Sequence, residues 1–210
     1  VSTSQLYLIT PPHLAIDSFC QTLEQILQAV PVACLQLRLK PLQEEMVISY
    51  GQKIKKITDH FGTSLIINDR PDLAKKLNAD GVHIGQKDMD YAKSRKLLGP
   101  NKMIGVTCHA SKDLAYQAAE AGADYVAFGA FFPSATKPKP EGQATLELIK
   151  DWHLTTTTPC VAIGGITTEN CLPLIEAGAD FLAVSNGLWN HPEGAVHAAK
   201  KFNFFFRQYK

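Results

Sequence analysis

One phrase, repeated three times, constrains this chain more than any other feature. Asn78-Ala-Asp-Gly-Val-His-Ile-Gly85, Gly122-Ala-Asp-Tyr-Val-Ala-Phe-Gly129 and Gly178-Ala-Asp-Phe-Leu-Ala-Val-Ser185 each run from a helix stop through a turn into a short apolar strand. Counted along the chain, they introduce strands four, six and eight. The other apolar runs fill the same alternation. Gln5 to Thr10 is a strand stopped by Pro11-Pro12, and Phe19, Leu23, Ile26, Leu27 and Val30 follow at helical spacing. Asp17 or Ser18 is expected to cap that helix and Pro31 to stop it. Ala33 to Lys40 alternates, with Gln36, Arg38 and Lys40 on one face and Leu35, Leu37 and Leu39 on the other.

The second helix is expected over Glu44 to Phe61 and the third strand over Ser64 to Asp69, with Pro71 opening the next helix. Val82 to Gly85 is strand four, and Asp90 caps a helix that ends at Gly99-Pro100. Met103 to Cys108 is strand five, followed by a helix capped by Ser111. Strand six runs from Tyr125 to Phe132 and is followed by a helix over Ala144 to Trp152. Val161 to Gly165 is strand seven. Thr167 is expected to cap a helix kinked at Pro173, Phe181 to Ser185 is strand eight, and Pro192 starts a last helix packed through Phe202, Phe204, Phe205 and Phe206. Eight strand-helix units at a spacing of about 25 residues predict one (β/α)8 barrel domain over residues 1–210. A doubly wound open sheet is the competing architecture, and it lacks its glycine fingerprint after the first strand.

A chain of 210 residues with 45% hydrophobic content can bury a single substantial core. Its 21 basic and 20 acidic residues leave no global field to attract nucleic acid or an anionic membrane, so any anion site must be local. No apolar run approaches the ~20 residues of a spanning helix, and Val1 to Gln5 lacks signal-peptide character, so a cytoplasmic location is expected. The five cysteines (Cys20, Cys34, Cys108, Cys160, Cys171) are scattered and fit reduced, mostly buried thiols.

In such barrels the functional groups project from the C-terminal strand ends. Those ends carry Gln36, Arg38 and Lys40, then Asn68 and Asp69, Asp88, Thr107 and His109, Ser134, Thr136 and Lys137, Gly164-Gly165, and Ser185-Asn186. Charges and hydroxyls converging on one rim favour a ligand with several anionic oxygens. Gly164-Gly165 with Ser185 and Asn186 reads either as a monophosphate cradle or as a plain tight turn. Arg38, Lys40 and Lys137 suit a more highly charged group, with Asp69 and Asp88 as oxygen ligands for magnesium. Asp69 can equally be read as a helix cap. The run Ser134 to Lys139 reads either as an anion-binding loop or as a basic surface loop stiffened by Pro133, Pro138 and Pro140. His83, inside strand four, reads as a hydrogen-bonded core histidine.

Six ordered motifs carry a resemblance over nearly the whole chain. They are Gln36-Leu-Arg-Leu-Lys40, Ile67-Asn-Asp-Arg70, Asp80-Gly-Val-His-Ile-Gly-Gln86 with Asp88, Gly105-Val-Thr-Cys-His109, Gly122 to Lys137, and Val161-Ala-Ile-Gly-Gly-Ile166. In these the chain resembles the thiamine phosphate synthase family, whose superfamily also includes thiazole tautomerase. The resemblance implies a TIM-barrel transferase that joins 4-amino-2-methyl-5-hydroxymethylpyrimidine diphosphate to a thiazole phosphate and releases pyrophosphate with magnesium.

Carried over by motif, it implies that Gln36, Leu37, Arg38, Leu39, Lys40, Asn68, Thr107 and Lys137 bind the pyrimidine diphosphate, with Arg38, Thr107 and Lys137 as catalytic contacts. It implies a thiazole phosphate site at Ser134, Ala135, Thr136, Gly165, Ser185 and Asn186, and magnesium at Asp69 and Asp88. Departures are local: Thr107, Ser134, Ala130 and Asn186 stand where the family usually has serine, threonine, proline and serine. The expected partners are small-molecule substrates, without nucleic acid or membrane, and a homodimer is the assembly to test. The rival readings are a tautomerase-like isomerase, which needs no magnesium or pyrophosphate, and a non-catalytic barrel that binds thiamine precursors.

Overall fold

A computed structural model describes residues 4–39, 43–133 and 142–208. Strands β1 (Gln5–Ile9), β2 (Cys34–Leu37), β3 (Ser64–Asn68), β4 (Gly81–Ile84), β5 (Met103–His109), β6 (Tyr125–Phe128), β7 (Cys160–Ile163) and β8 (Phe181–Val184) pair in sequence order, all parallel, and close into a barrel. The ring is sealed by β8 pairing with β1, Leu6 opposite Leu182 and Leu8 opposite Val184. Around it lie α1 (Ile16–Ala29), α2 (Glu44–Phe61), α3 (Pro71–Lys76), α4 (Tyr91–Leu98), α5 (Lys112–Glu120), α6 (Leu146–Thr155), α7 (Leu172–Glu176), α8 (Asn186–Trp189) and α9 (Ala195–Gln208). The expected (β/α)8 architecture is therefore the observed one.

The strand period of two sorts side chains into two cores. Leu6, Leu8, Leu35, Leu37, Leu65, Ile67, Val82, Ile104, Val126 and Leu182 point outward and pack under the helices. Tyr7, Ile9, Cys34, Ile66, Tyr125, Ala127, Val161 and Ala183 point inward and fill the barrel. Each fully buried Leu or Ile stabilises the fold by about 1.5–3 kcal/mol relative to exposure, so the outer layer dominates stability. Space in the barrel interior is tight: a Cβ on Gly105 would lie 2.0 Å from the Tyr125 ring. Strand five can approach strand six there only because residue 105 has no side chain.

The repeated phrase has a structural cause. Its first residue is left-handed in all three copies (φ 48° at Asn78, 97° at Gly122, 94° at Gly178), which explains Gly, Gly and Asn there. Its alanine is buried each time. Its aspartate clamps the start of the preceding strand at two points. Asp80, Asp124 and Asp180 donate their backbone N–H to the carbonyls of Leu65, Ile104 and Cys160. Their carboxylates accept the N–H of the same three residues at 2.8, 2.7 and 2.8 Å. Pairs β3–β4, β5–β6 and β7–β8 are thus latched alike at the N-terminal rim. In β1–β2 the backbone bond from Ala33 to Leu6 occupies the same place.

Several boundaries differ from expectation. The first helix starts at Ile16 with Ala15 at the cap position, one turn before Ser18, because Ile16 and Phe19 both pack into the apolar layer. The alternating run of strand two stays paired only through Leu37, and strands six and seven stop at Phe128 and Ile163, where the chain turns into rim loops. Thr167 does not cap a helix: it lies in a turn in which its N–H donates to Asn170. Helix α7 begins only at Leu172 and takes Pro173 into its first turn, so no kink arises. Helix α6 begins at Leu146, capped by Thr145, and α9 begins after Pro192 and Gly194. Phe202 and Phe206 are buried as expected, whereas Phe204 faces out. No helix among the described residues is long and apolar enough to cross a membrane.

Candidate active site

Strand register decides which rim residues face the barrel mouth. Gln36 pairs with Ile9 and Ile66, Asn68 with His83, His83 with Gly105, and Thr107 with Ala127. Each pair joins residues in phase with the interior row. Gln36, Asn68, His83 and Thr107 are therefore in phase with the interior residues Ile66, Tyr125 and Val161, and Arg38 follows Gln36 in phase. Leu37 and Leu39 are in the opposite phase and buried under the helices.

A continuous polar chain links three members of this row, Gln36, His83 and Thr107, through Tyr7 and Tyr125 inside the barrel. Gln36 donates its amide N–H to the Tyr7 hydroxyl at 3.0 Å, and Tyr7 lies 3.0 Å from the Tyr125 hydroxyl. Tyr125 lies 3.2 Å from His83 Nδ1, and His83 Nε2 lies 2.7 Å from Thr107 Oγ1. Gln36 is 3% and His83 7% exposed. Burial pushes both phenols well above their usual range and lowers the imidazole to about 4. All three rings are neutral near pH 7 as a result. His83 is hydrogen-bonded in the core as expected, and it supports Thr107 directly.

The end of β1 braces the rim. Thr10, 2% exposed, accepts the Arg38 N–H at 2.9 Å and donates its hydroxyl to the Arg38 carbonyl at 3.1 Å. Ser185 donates to the Thr10 carbonyl at 3.4 Å, and the Trp189 indole donates to the Ile9 carbonyl at 2.7 Å. Ser185 and Asn186 open the short helix α8, which helical periodicity does not reveal because it is only four residues long.

The two carboxylates lie at the ends of adjacent strands. Asp69 is left-handed (φ 61°) and its N–H donates to the His83 carbonyl at 2.7 Å. The cap position of α3 is Arg70, one residue after Asp69. Asp88 folds back over the end of β4, its carboxylate accepting the Gly85 N–H at 2.8 Å. Arg70 bonds Asp72 and Glu44, and Lys76 bonds Glu44, which pins the start of α2 to the loop that carries Asp69. These ion pairs are exposed and screened by water, so their role is alignment.

Gly164 and Gly165 both have positive φ (108° and 64°). A Cβ on Gly165 would lie 2.4 Å from the Pro133 carbonyl, so glycine is required there by contact with the loop after β6. Asn170 donates to the Gly165 carbonyl at 3.0 Å and holds the turn. His109 is left-handed (φ 51°) after a register shift in β5, and its carbonyl accepts the Gly129 N–H. Gln86 reaches across to the Thr107 carbonyl at 2.6 Å. Lys40, Ser134, Ala135, Thr136 and Lys137 lie outside the described residues.

Thiolate chemistry has no support at this rim. Cys108 faces the outer core, not the mouth, and burial raises its thiol to about 12; Cys160 is likewise raised to about 12 and Cys171 to about 11. Four supporting residues, Thr10, Tyr7, Tyr125 and Asn170, are not among those the sequence singles out. Thr10, Tyr7 and Tyr125 act through partners remote in sequence and Asn170 through Gly165 five residues away, and only Thr10, ending a strand before two prolines, carries a local mark.

Fold and rim together define a (β/α)8-barrel enzyme whose polar side chains converge at the C-terminal strand ends. The sequence model of the family described as thiamine monophosphate synthase matches residues 6–188. The chain belongs to that family and is a transferase. A thiamine-phosphate synthase from Rhodospirillum centenum is 48% identical over 203 residues, covering 97% of this chain and 98% of the relative. One from Hyphomonas neptunium is 47% identical over 210 residues, covering 97% and 94%. Among solved structures, a thiamine phosphate pyrophosphorylase from Pyrococcus furiosus superposes with a TM-score of 0.84 at 25% identity, covering 99% of this chain and 98% of that one.

Proposed function

We propose that the enzyme couples 4-amino-2-methyl-5-hydroxymethylpyrimidine diphosphate to a thiazole phosphate, giving thiamine phosphate and pyrophosphate. The observation that carries this reading is the row of Gln36, Arg38, Asn68 and Thr107 at one mouth, polar and in phase, with the Cys108 and Cys160 thiols buried and raised. Such a site binds and orients; it does not attack. In the proposed reaction the methylene C–O bond breaks, its electron pair leaves with pyrophosphate, and the thiazole nitrogen lone pair forms the new C–N bond. The chain's task is then to hold the leaving group's charge and to position the acceptor.

In this reading Gln36, Asn68 and Thr107 hold the pyrimidine half, with the backbone of Leu37 and Leu39 at its edge. Arg38, Lys40 and Lys137 take the diphosphate. Ser134, Ala135, Thr136, Gly165, Ser185 and Asn186 take the thiazole phosphate. Magnesium fits the donor set: it commonly takes one or two carboxylates together with phosphate oxygens, and Asp69 and Asp88 are hard oxygen donors at neighbouring strand ends. When bound, it supplies neutralisation of the diphosphate charge.

The test is to mix purified protein with both substrates and magnesium and to follow pyrophosphate release. Release that requires both substrates supports the reading. Intact binding of both ligands without release would sink it.

A further inference from the structure

The buried polar chain has a sense of direction. Among its members, Tyr7, Tyr125, Thr107 and a neutral His83 each have one proton to give between two neighbours. His83 is buried and both its ring nitrogens face hydroxyls, so an imidazolium there would have no directly bonded counter-ion, Asp69 acting on it only through space. Fixing one end therefore fixes every link. Gln36 donates to Tyr7, so Tyr7 must donate to Tyr125 and Tyr125 to His83 Nδ1. His83 then carries its proton on Nε2 and donates to Thr107. At the two ends this leaves the Gln36 carbonyl oxygen as an acceptor and the Thr107 hydroxyl as a donor.

We propose that His83, Tyr125 and Tyr7 are positioning residues that lock the hydrogen-bond polarity of Gln36 and Thr107, and through it the site's choice between ring substituents. An acceptor at Gln36 and a donor at Thr107 suit a ring with an exocyclic amine and an unprotonated ring nitrogen. An oxo-pyrimidine, which presents a carbonyl and a ring N–H, requires the reverse pattern. Accepting it would mean turning over all five groups together or leaving one buried group unpaired. The inference rests on the pyrimidine placement proposed above and extends it from binding to selection.

Two measurements test it. The first needs no substrate: 15N NMR of histidine-labelled protein at pH 8.5, with His83 assigned by comparison with His83→Gln. The wild type is expected to show a single Nε2–H tautomer. Gln36→Glu, whose carboxylate only accepts, should switch His83 to Nδ1–H three links away, and Tyr7→Phe should give a mixture. Wild-type shifts retained in both variants would overturn the proposal.

The second compares kcat/KM for the amino-pyrimidine diphosphate and its oxo analogue in wild type and in Tyr125→Phe. The preference for the amine should fall at least tenfold, while KM for the thiazole phosphate changes less than twofold. A purely structural role would weaken both pyrimidines equally, and that result would also overturn the proposal. If the wild type released no pyrophosphate from either compound, the functional reading would fail, while the imidazole signals would still decide the polarity.

Discussion

Asp124→Ala should lower stability while leaving catalysis at 25 °C nearly untouched. The carboxylate accepts the buried Ile104 N–H at 2.7 Å and pairs with Arg95 at 2.7 Å. A hydrogen bond to a charged group is worth about 1.5–3 kcal/mol, and the exposed ion pair adds a few tenths. The side chain is 41% exposed, so water can partly replace it at Ile104 and the loss should fall near 2 kcal/mol. For a chain of this size that corresponds to about 4–8 °C in Tm. Asp124→Asn keeps an acceptor for Ile104 and should lose about half as much. Thermal unfolding at fixed protein and buffer, with steady-state kinetics at 25 °C in parallel, measures both quantities. An unchanged Tm, or a tenfold fall in kcat/KM with stability intact, would refute the idea that the repeated aspartate is a structural latch remote from the chemistry.

Gly105→Ala places a Cβ 2.0 Å from the Tyr125 ring and should destabilise by at least about 1–3 kcal/mol, visible as a fall in Tm. Asp88→Ala should abolish magnesium-dependent turnover while titration calorimetry finds thiazole phosphate binding within about threefold of wild type; surviving turnover would remove Asp88 from the metal site. Acid sensitivity follows from His83. Its imidazole is lowered from 6.5 to about 4 in the fold, so between those values the unfolded chain takes up a proton that the folded one refuses. Stability should be intact above pH 6.5 and fall by about 1.4 kcal/mol per pH unit down to about 4. Chemical denaturation across that range should show a shallower slope in His83→Gln.

The barrel was legible because its signals are local. Helix stop, left-handed turn, buried alanine and aspartate recur within a few residues at 78–81, 122–125 and 178–181. Gln36 and Arg38 stood out because strand two alternates, and alternation carries facing information. Tyr7 and Tyr125 sit in runs apolar on both faces, where composition cannot tell inside from outside; only their register against Cys34 and Gly105 places them in the interior. Thr167 and Pro173 misled because a hydroxyl before an apolar run looks like a cap. In the fold Asn170 ties the turn instead and delays the helix to Leu172. Asp69 reads two ways because a carboxylate just before a helix-opening proline suits a cap as well as a metal ligand; its left-handed backbone has no local mark in the sequence.

Thr10 has a consequence for how two substrates meet. One residue holds the Arg38 backbone at both its N–H and its carbonyl, and its own carbonyl receives the Ser185 hydroxyl. In the proposed function Arg38 belongs to the departing diphosphate and Ser185 to the incoming acceptor. The spacing between donor and acceptor halves is then set by a strand end that already exists before either substrate arrives, as a jig sets the distance between two parts to be joined. Ordering entropy that two independent loops would lose at each turnover has here been lost once, during folding.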